Sequence, residues 1–243
     1  TARERITLLL DSGSFNEFNM LVNYRIGAAG DGIVTGHGTI DGRVVCVFAH
    51  DATVFGGSQG YKHGRKLYKI HEIALNMGVP IIGLHDSPGA RVTKPEVPGS
   101  DDPYRVDDEK HAGVVFYINT KCSGAIPQIS AVLGSCTGGS VYSQALTDFI
   151  FMVEKIGHMC ITGPRVIKSV MNEEISLEEL CGVDVHCRVS GCADFRCKTE
   201  QDCMQGIKRL LSFLPSNWRE RPPVIDTGDD PEKFVDALSE LVP

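Results

Sequence analysis

Hydrophobic and polar positions along the chain change period several times, and each change marks an expected element. Residues 2–10, ARERITLLL, place apolar side chains at helical spacing, which predicts a helix. Asp11-Ser12-Gly13-Ser14 reads as a turn, and Gly30-Asp31-Gly32 opens a hairpin. Two β-rich runs follow, Ile33–Ile40 and residues 43–49, joined at the tight-turn pair Asp41-Gly42. After the glycine break Gly56-Gly57-Ser58-Gln59-Gly60, the residues Leu67, Ile70, Ile73, Ala74 and Met77 fall on one face of a helix over Tyr61–Met77. Residues 80–84 form a short apolar run, read as a buried strand.

Residues 93–109, TKPEVPGSDDPYRVDDE, are polar and acidic and carry three prolines, the composition of a long exposed loop. Loops of that length inside a compact domain are usually functional or mobile. Beyond it the pattern predicts a helix over 111–120, a strand over 125–133 and a helix over 139–147. A strand at 149–154, helices at 165–171 and from 176 to 180, and an amphipathic closing helix at 202–213 complete the alternation. Such β/α alternation implies an α/β fold, a sheet flanked by helices. Residues 1–224 read as one domain, and 225–243 as a linker and short helical tail toward a further domain.

Twice in this pattern a buried strand runs into a glycine-rich turn. At 126–143, IPQISAVLGSCTGGSVYS, the turn leads into a helix; at 79–91, VPIIGLHDSPGAR, the strand ends at Ser87-Pro88-Gly89-Ala90. A helix N-terminus leaves unpaired N–H groups at the positive end of a dipole. Glycine lets a ligand approach that backbone closely. Two such turns supply what a two-donor oxyanion hole needs, and donors fixed before reaction can stabilise an enolate or tetrahedral anion by several kcal/mol. No obvious acid–base pair accompanies them.

Charge and cysteine content narrow the partners. A net charge of −7 without a long basic run argues against nucleic acid, and no apolar run approaches the ~20 residues of a membrane helix. No signal peptide is read, and a chain that begins at Thr1 inside a helix is expected to have been trimmed. The nine cysteines show no C-x-x-C pair, and Cys181, Cys187, Cys192, Cys197 and Cys203 follow no metal-ligand spacing. Free structural thiols, no metal and a reducing compartment, cytoplasm or mitochondrial matrix, are therefore expected.

Several motifs occur together and in order: Gly36-His37-Gly38-Thr39-Ile40-Asp41-Gly42, Phe55-Gly56-Gly57-Ser58, Asp86-Ser87-Pro88-Gly89-Ala90-Arg91, Ile126-Pro127-Gln128-Ile129, Gly138-Gly139-Ser140-Val141-Tyr142-Ser143, residues 147–153 and Thr162-Gly163-Pro164. With them, most of residues 1–224 resembles the carboxyltransferase of biotin-dependent acyl-CoA carboxylases, the β subunit of propionyl-CoA carboxylase and related decarboxylases among them. The resemblance implies a crotonase-like fold of repeated ββα units, and a chain that is the N-terminal, CoA-binding half of a pair of homologous domains. It also implies an acyl-CoA substrate, carboxybiotin on a biotinylated carrier protein, a C-terminal domain or subunit, and a homo- or hetero-oligomer. In that family carboxybiotin releases its carboxyl group, the biotin anion takes the α-proton, and the thioester enolate attacks carbon dioxide, so no side chain need act as base. By family position Gly139 and Ser140 would supply one donor edge and Gly89 or Ala90 the other. Gly56, Gly57, Ser58 and Gly138, with Lys62, Arg65, Lys66 and Lys69, would meet the CoA.

Three departures qualify the resemblance. Pro88 stands where relatives commonly have glycine, and proline has no N–H to give. The 93–109 loop is longer than expected, and the biotin-binding domain is missing. Among rival readings, a crotonase-type hydratase would place a carboxylate after the turn, where Val141 and Tyr142 stand. Gly56-Gly57-Ser58-Gln59-Gly60 matches the G-x-S-x-G of serine hydrolases, but His71, His111, His158 and His186 have no distinguishing context. A non-catalytic acyl-CoA-binding subunit is the third alternative. Asp86 and Asp148 are expected to support turns and strand ends rather than to catalyse.

Overall fold

A computed structural model describes residues 1–91, 113–230 and 232–241. The acidic loop read at 93–109 and the first residues of the helix read from 111 lie outside these. A seven-stranded sheet carries β1 (Asn16–Phe18), β2 (Ile33–Ile40), β3 (Arg43–His50), β4 (Ile81–His85), β5 (Gln128–Val132), β7 (Phe149–Val153) and β9 (Phe195–Cys197), side by side in that order. β1, β2 and β3 pair antiparallel, and every later pairing is parallel. Two short strands, β6 (Ser135–Thr137) and β8 (His158–Cys160), pair apart from it. The sequence pattern had merged β6 into the glycine-rich turn.

The layering follows from side-chain period. Along β3, Val45, Val47 and Ala49 face one core while Cys46 and Phe48 face the other, the two-residue alternation of a strand. The first core is closed by α1 (Ala2–Leu9) and α7 (Glu200–Leu211), through Ile6, Leu9, Met204 and Ile207. The second is closed by α2 (Tyr61–Met77) and α3 (Val114–Cys122), through Leu67, Ile70, Val115 and Ile118. β4 and β5, covered on both faces, are buried at every position. A third cluster under α4 (Gly139–Ala145) joins Val132, Val141, Met152 and Met159.

Local chemistry sets the ends. Thr1 and Glu4 form a capping box on α1, and Gly78 closes α2 in the left-handed conformation. Pro164 starts α5 (Pro164–Met171), and Ser176 with Glu179 caps α6 (Leu177–Cys181). The strands therefore deliver the segments after β4 and after β5 to one edge of the sheet, as neighbours.

Candidate active site

The two turns are stitched carbonyl by carbonyl. Ser87 O accepts from the Thr137 N–H at 3.2 Å and from Ser140 Oγ at 3.1 Å. Pro88 O accepts from Thr137 Oγ1 at 2.6 Å, and Gly89 O from the Gln59 N–H at 2.8 Å. Arg91 N–H returns a bond to Gln59 O, so residues 89–91 run beside Gln59 as a single bridge of parallel sheet. In such a bridge the middle residue faces the other way. The Ala90 N–H accordingly has no acceptor among the described residues.

Gly89 has φ +91°, and a Cβ there would overlap the Thr137 carbonyl oxygen and stand 3.5 Å from the Gly139 nitrogen. Only glycine lets the turns approach this closely. Gly139 and Ser140 occupy the first two positions of α4, where a helix N–H has no partner of its own, and neither backbone N–H donates to a described acceptor. Two other expected groups are engaged: Gly138 N–H donates to Cys160 O at 3.0 Å, and Gly89 N–H to Ser87 Oγ at 3.2 Å.

Two ion clusters hold this arrangement from beneath. Arg91 donates to Asp31 Oδ1, Ser58 Oγ and Ser58 O at 2.8, 3.1 and 2.8 Å and lies over the Phe55 ring, while Asp31 Oδ2 accepts the His63 N–H. Arg5, on α1, donates to Asp86 at the head of the first turn, to Leu133 O at the head of the second, and to Glu200 on α7. Asp86 itself fills the space above Gly134, where a Cβ would overlap its carboxylate. Burial pulls the Arg5 pKa down, but the bonds from Glu200 and Asp86 outweigh it and leave it raised. These carboxylates are placed as counter-ions to the two arginines. Asp148 instead supports a strand end, accepting the Gln128 N–H at 2.8 Å, and burial raises its pKa above the ordinary value.

A cavity of about 160 Å³ opens at the edge the turns share, walled by Ala90 and Gly139 with Gln59, Tyr61, Phe116 and Tyr142. No carboxylate or histidine is among its described lining residues. A second, mainly basic cavity of about 640 Å³ lies along α2 and the start of α3 and is lined by Lys62, Arg65, Lys66 and Lys69, with Glu72. Lys62 Nζ donates to Asn23 Oδ1 there at 2.9 Å. Lys66 differs from the sequence expectation. Its ammonium is buried, donates to Gly30 O and Ile33 O, and burial lowers its pKa to about 8. Gly56, Gly57 and Ser58 line neither cavity; Gly57 packs on Asp86 O, and Ser58 Oγ donates to Phe55 O. Ser58 thus has no histidine partner among the described residues, which leaves the hydrolase reading without support there.

The sequence reading missed Arg5, Asp31 and Arg91. The available signal was a cation beside the apolar positions of residues 2–10 and an Asp between two glycines, neither of which names a partner. The cysteine expectation is corrected: Cys160 and Cys181, with Cα atoms 5.4 Å apart, form a disulfide. Cys46, Cys122, Cys136, Cys197 and Cys203 are buried free thiols, Cys187 is half-buried and Cys192 exposed. No helix among the described residues is long and apolar enough to cross a membrane.

The α/β architecture, with its two glycine-rich turns at one cavity, is that of a crotonase-like fold. The carboxyl transferase domain family matches residues 1–243, and the chain belongs to that family. It is 47% identical to the carboxyltransferase subunit of propionyl-CoA carboxylase from Haloferax mediterranei, covering 100% of this chain and 47% of that protein. It is also 47% identical to methylmalonyl-CoA decarboxylase subunit alpha from Veillonella parvula, with the same coverage. The hexameric transcarboxylase 12S core, solved with hydrolysed methylmalonyl-coenzyme A bound, overlays with a TM-score of 0.84 at 39% identity, over 95% of this chain and 44% of that one. The chain thus spans about half the length of the relatives it matches.

Proposed function

We propose that this chain is the acyl-CoA-binding half of a biotin-dependent carboxyltransferase, moving a carboxyl group between carboxybiotin and a propionyl- or methylmalonyl-CoA-type thioester. The observation that carries the proposal is the pairing of unengaged N–H groups at Gly139, Ser140 and Ala90 with a cavity that has no acid or base in its described wall. Hydrogen bonds to a forming enolate oxygen strengthen as its charge grows, so fixed donors lower the barrier rather than merely tighten binding. A site that stabilises an anion but holds no base fits a co-substrate that brings its own. Carboxybiotin on a biotinylated carrier supplies both the carboxyl group and, once decarboxylated, the base.

The other parts are assigned by the same logic. Lys62, Arg65 and Lys69 would hold the phosphates of CoA in the basic cavity; Lys66, bonded to two carbonyls, is left out. Gly89 and Gly138 shape the turns rather than donate. Decarboxylation of a malonyl-type thioester passes through the same enolate, so the donors would serve either direction. The half-length match to the relatives supports a second domain or subunit that completes the site, and the likeness to the hexameric transcarboxylase core supports an oligomeric assembly. Cytoplasm or mitochondrial matrix remains the proposed compartment on the strength of the buried free thiols, with the Cys160–Cys181 bond as the observation against it.

Replacing Gly139 by proline tests the reading. Proline is tolerated at the first position of a helix and deletes only the N–H there. Carboxyl transfer should fall about 10²–10³-fold, the cost of one oxyanion donor, with acyl-CoA affinity retained; Gly139→Ala, whose Cβ meets open space, should stay active. Unchanged transfer in a folded, CoA-binding Gly139→Pro protein would sink the proposal.

A further inference from the structure

Gly64 is the fourth residue of α2, and nothing in the packing of the described residues calls for a glycine there. Its φ is not positive, and a Cβ would meet no atom within 4 Å. Gly206, the glycine inside α7, makes the contrast, because its Cβ would press on the Phe151 ring. Glycine is among the weakest helix formers, so Gly64 carries a stability cost that neither backbone nor core explains. What faces Gly64 is the cavity of about 160 Å³ beside the two turns.

The walls of that cavity are chiefly hydrocarbon. Phe116 and Tyr142 meet edge to face with centroids 5.8 Å apart, and Val115 and Tyr61 complete the apolar lining. Among the polar side chains of the wall, the Ser143 hydroxyl is committed to Asn119 Oδ1 at 2.8 Å, while Tyr61 and Tyr142 contribute mainly ring surface. An apolar cavity of about 150 Å³ takes a ring of roughly six heavy atoms. The same wall includes Ala90 and Gly139, so a thioester carbonyl at their N–H groups would direct its acyl chain inward.

We propose that this cavity is the acyl-chain pocket and that Gly64 sets its depth, restricting the enzyme to short acyl thioesters of about two to five carbons. The inference rests on the carboxyltransferase reading above and adds the residue that measures the chain. Each methylene taken into the pocket strengthens binding about fourfold, until the chain outgrows the space. A leucine at position 64 would fill the floor and cancel that gain.

The test uses the protein in its native assembly. Dissociation constants for CoA, acetyl-, propionyl- and hexanoyl-CoA, with kcat/KM for each thioester, are measured for wild type, Gly64→Ala and Gly64→Leu. Wild type should prefer propionyl- to acetyl-CoA about fourfold and reject hexanoyl-CoA. Gly64→Leu should lose the propionyl preference yet keep its affinity for CoA. Gly64→Ala should show a partial loss together with a higher melting temperature, so that altered selectivity cannot be a folding defect. Wild type that turns over acyl-CoA while Gly64→Leu keeps the same chain-length profile overturns the pocket assignment alone. Equal weakening of CoA and acyl-CoA by Gly64→Leu also overturns it, by giving the cavity to the pantetheine arm. Wild type that binds no acyl-CoA overturns both the inference and the reading beneath it.

Discussion

Removing the Arg5 guanidinium should cost both stability and transition-state geometry, because one side chain ties the heads of both turns. Its Nη1 lies 3.0 Å from Asp86, Nη2 lies 2.8 Å from Leu133 O, and the Glu200 carboxylate accepts from both Nε and Nη2. Arg5 is 15% exposed and each partner carboxylate 27%. Breaking a fully buried ion pair costs roughly 3–5 kcal/mol, and water access to the carboxylates moves Arg5→Met to the lower end, about 3 kcal/mol. For a domain of this size that is a fall in melting temperature of about 6–12 °C. In the variant, Asp86 and Glu200 lose the cation they share, and Asp86 no longer has a reason to stay over Gly134. A displacement of about 1 Å at a positioned group costs on the order of 10²-fold in rate. Urea unfolding followed by circular dichroism gives the first quantity; kcat against the acyl-CoA dissociation constant, below the unfolding range, gives the second. Arg5→Lys should recover part of the stability but little of the rate, since an ammonium lacks the fork that spans three acceptors. Destabilisation below about 1 kcal/mol, or a rate that follows only the folded fraction, would refute the clamp.

Two further outcomes follow from the buried groups. His50 and His71 are fully buried and burial lowers each pKa to about 4, below the usual 6.5, so the unfolded chain binds more protons between those values. Stability therefore rises with pH across that window and is lost on acidification, by about 2 kcal/mol per histidine at pH 5; equal urea midpoints at pH 7 and pH 5 would contradict this. The Cys160–Cys181 bond closes a loop of sequence separation 21, worth about 3 kcal/mol by chain entropy. Reductant and Cys181→Ser should each lower the melting temperature, and a wild-type melt indifferent to reductant would argue that the bond does not form in solution.

What was legible from sequence was what depends on neighbours in the chain. The period-two run ending at Asp41-Gly42 and the 3.6 period from Tyr61 to Met77 are local signals, and β2, β3 and α2 match them to within a residue. The two glycine-rich turns were recognisable because positive φ and close approach demand glycine at specific places. The Gln59–Ala90 bridge was not, since it joins residues from different segments and directs N–H groups by pairing rather than by residue type. The same reason hid Lys66, which follows the helical pattern of a solvated lysine while its ammonium ends on two carbonyls across the fold. The disulfide, too, depends on where α6 packs against β8, which spacing alone cannot specify.

Charge placement around the turns gives the division of labour its physical basis. Asp86 is neutralised by Arg5, Asp31 by Arg91, and His63 and His85 are buried with pKa values held well below the usual imidazole range. A carboxylate free to take a proton beside the enolate would also repel that enolate, raising the energy the N–H groups lower. In the proposed reaction, pairing Asp86 and Asp31 with arginines and holding His63 and His85 neutral would protect the donor N–H groups. The described side chains around the turns offer no free base for the α-proton of that proposed reaction, which is the chemical reason to expect the base to arrive with a partner.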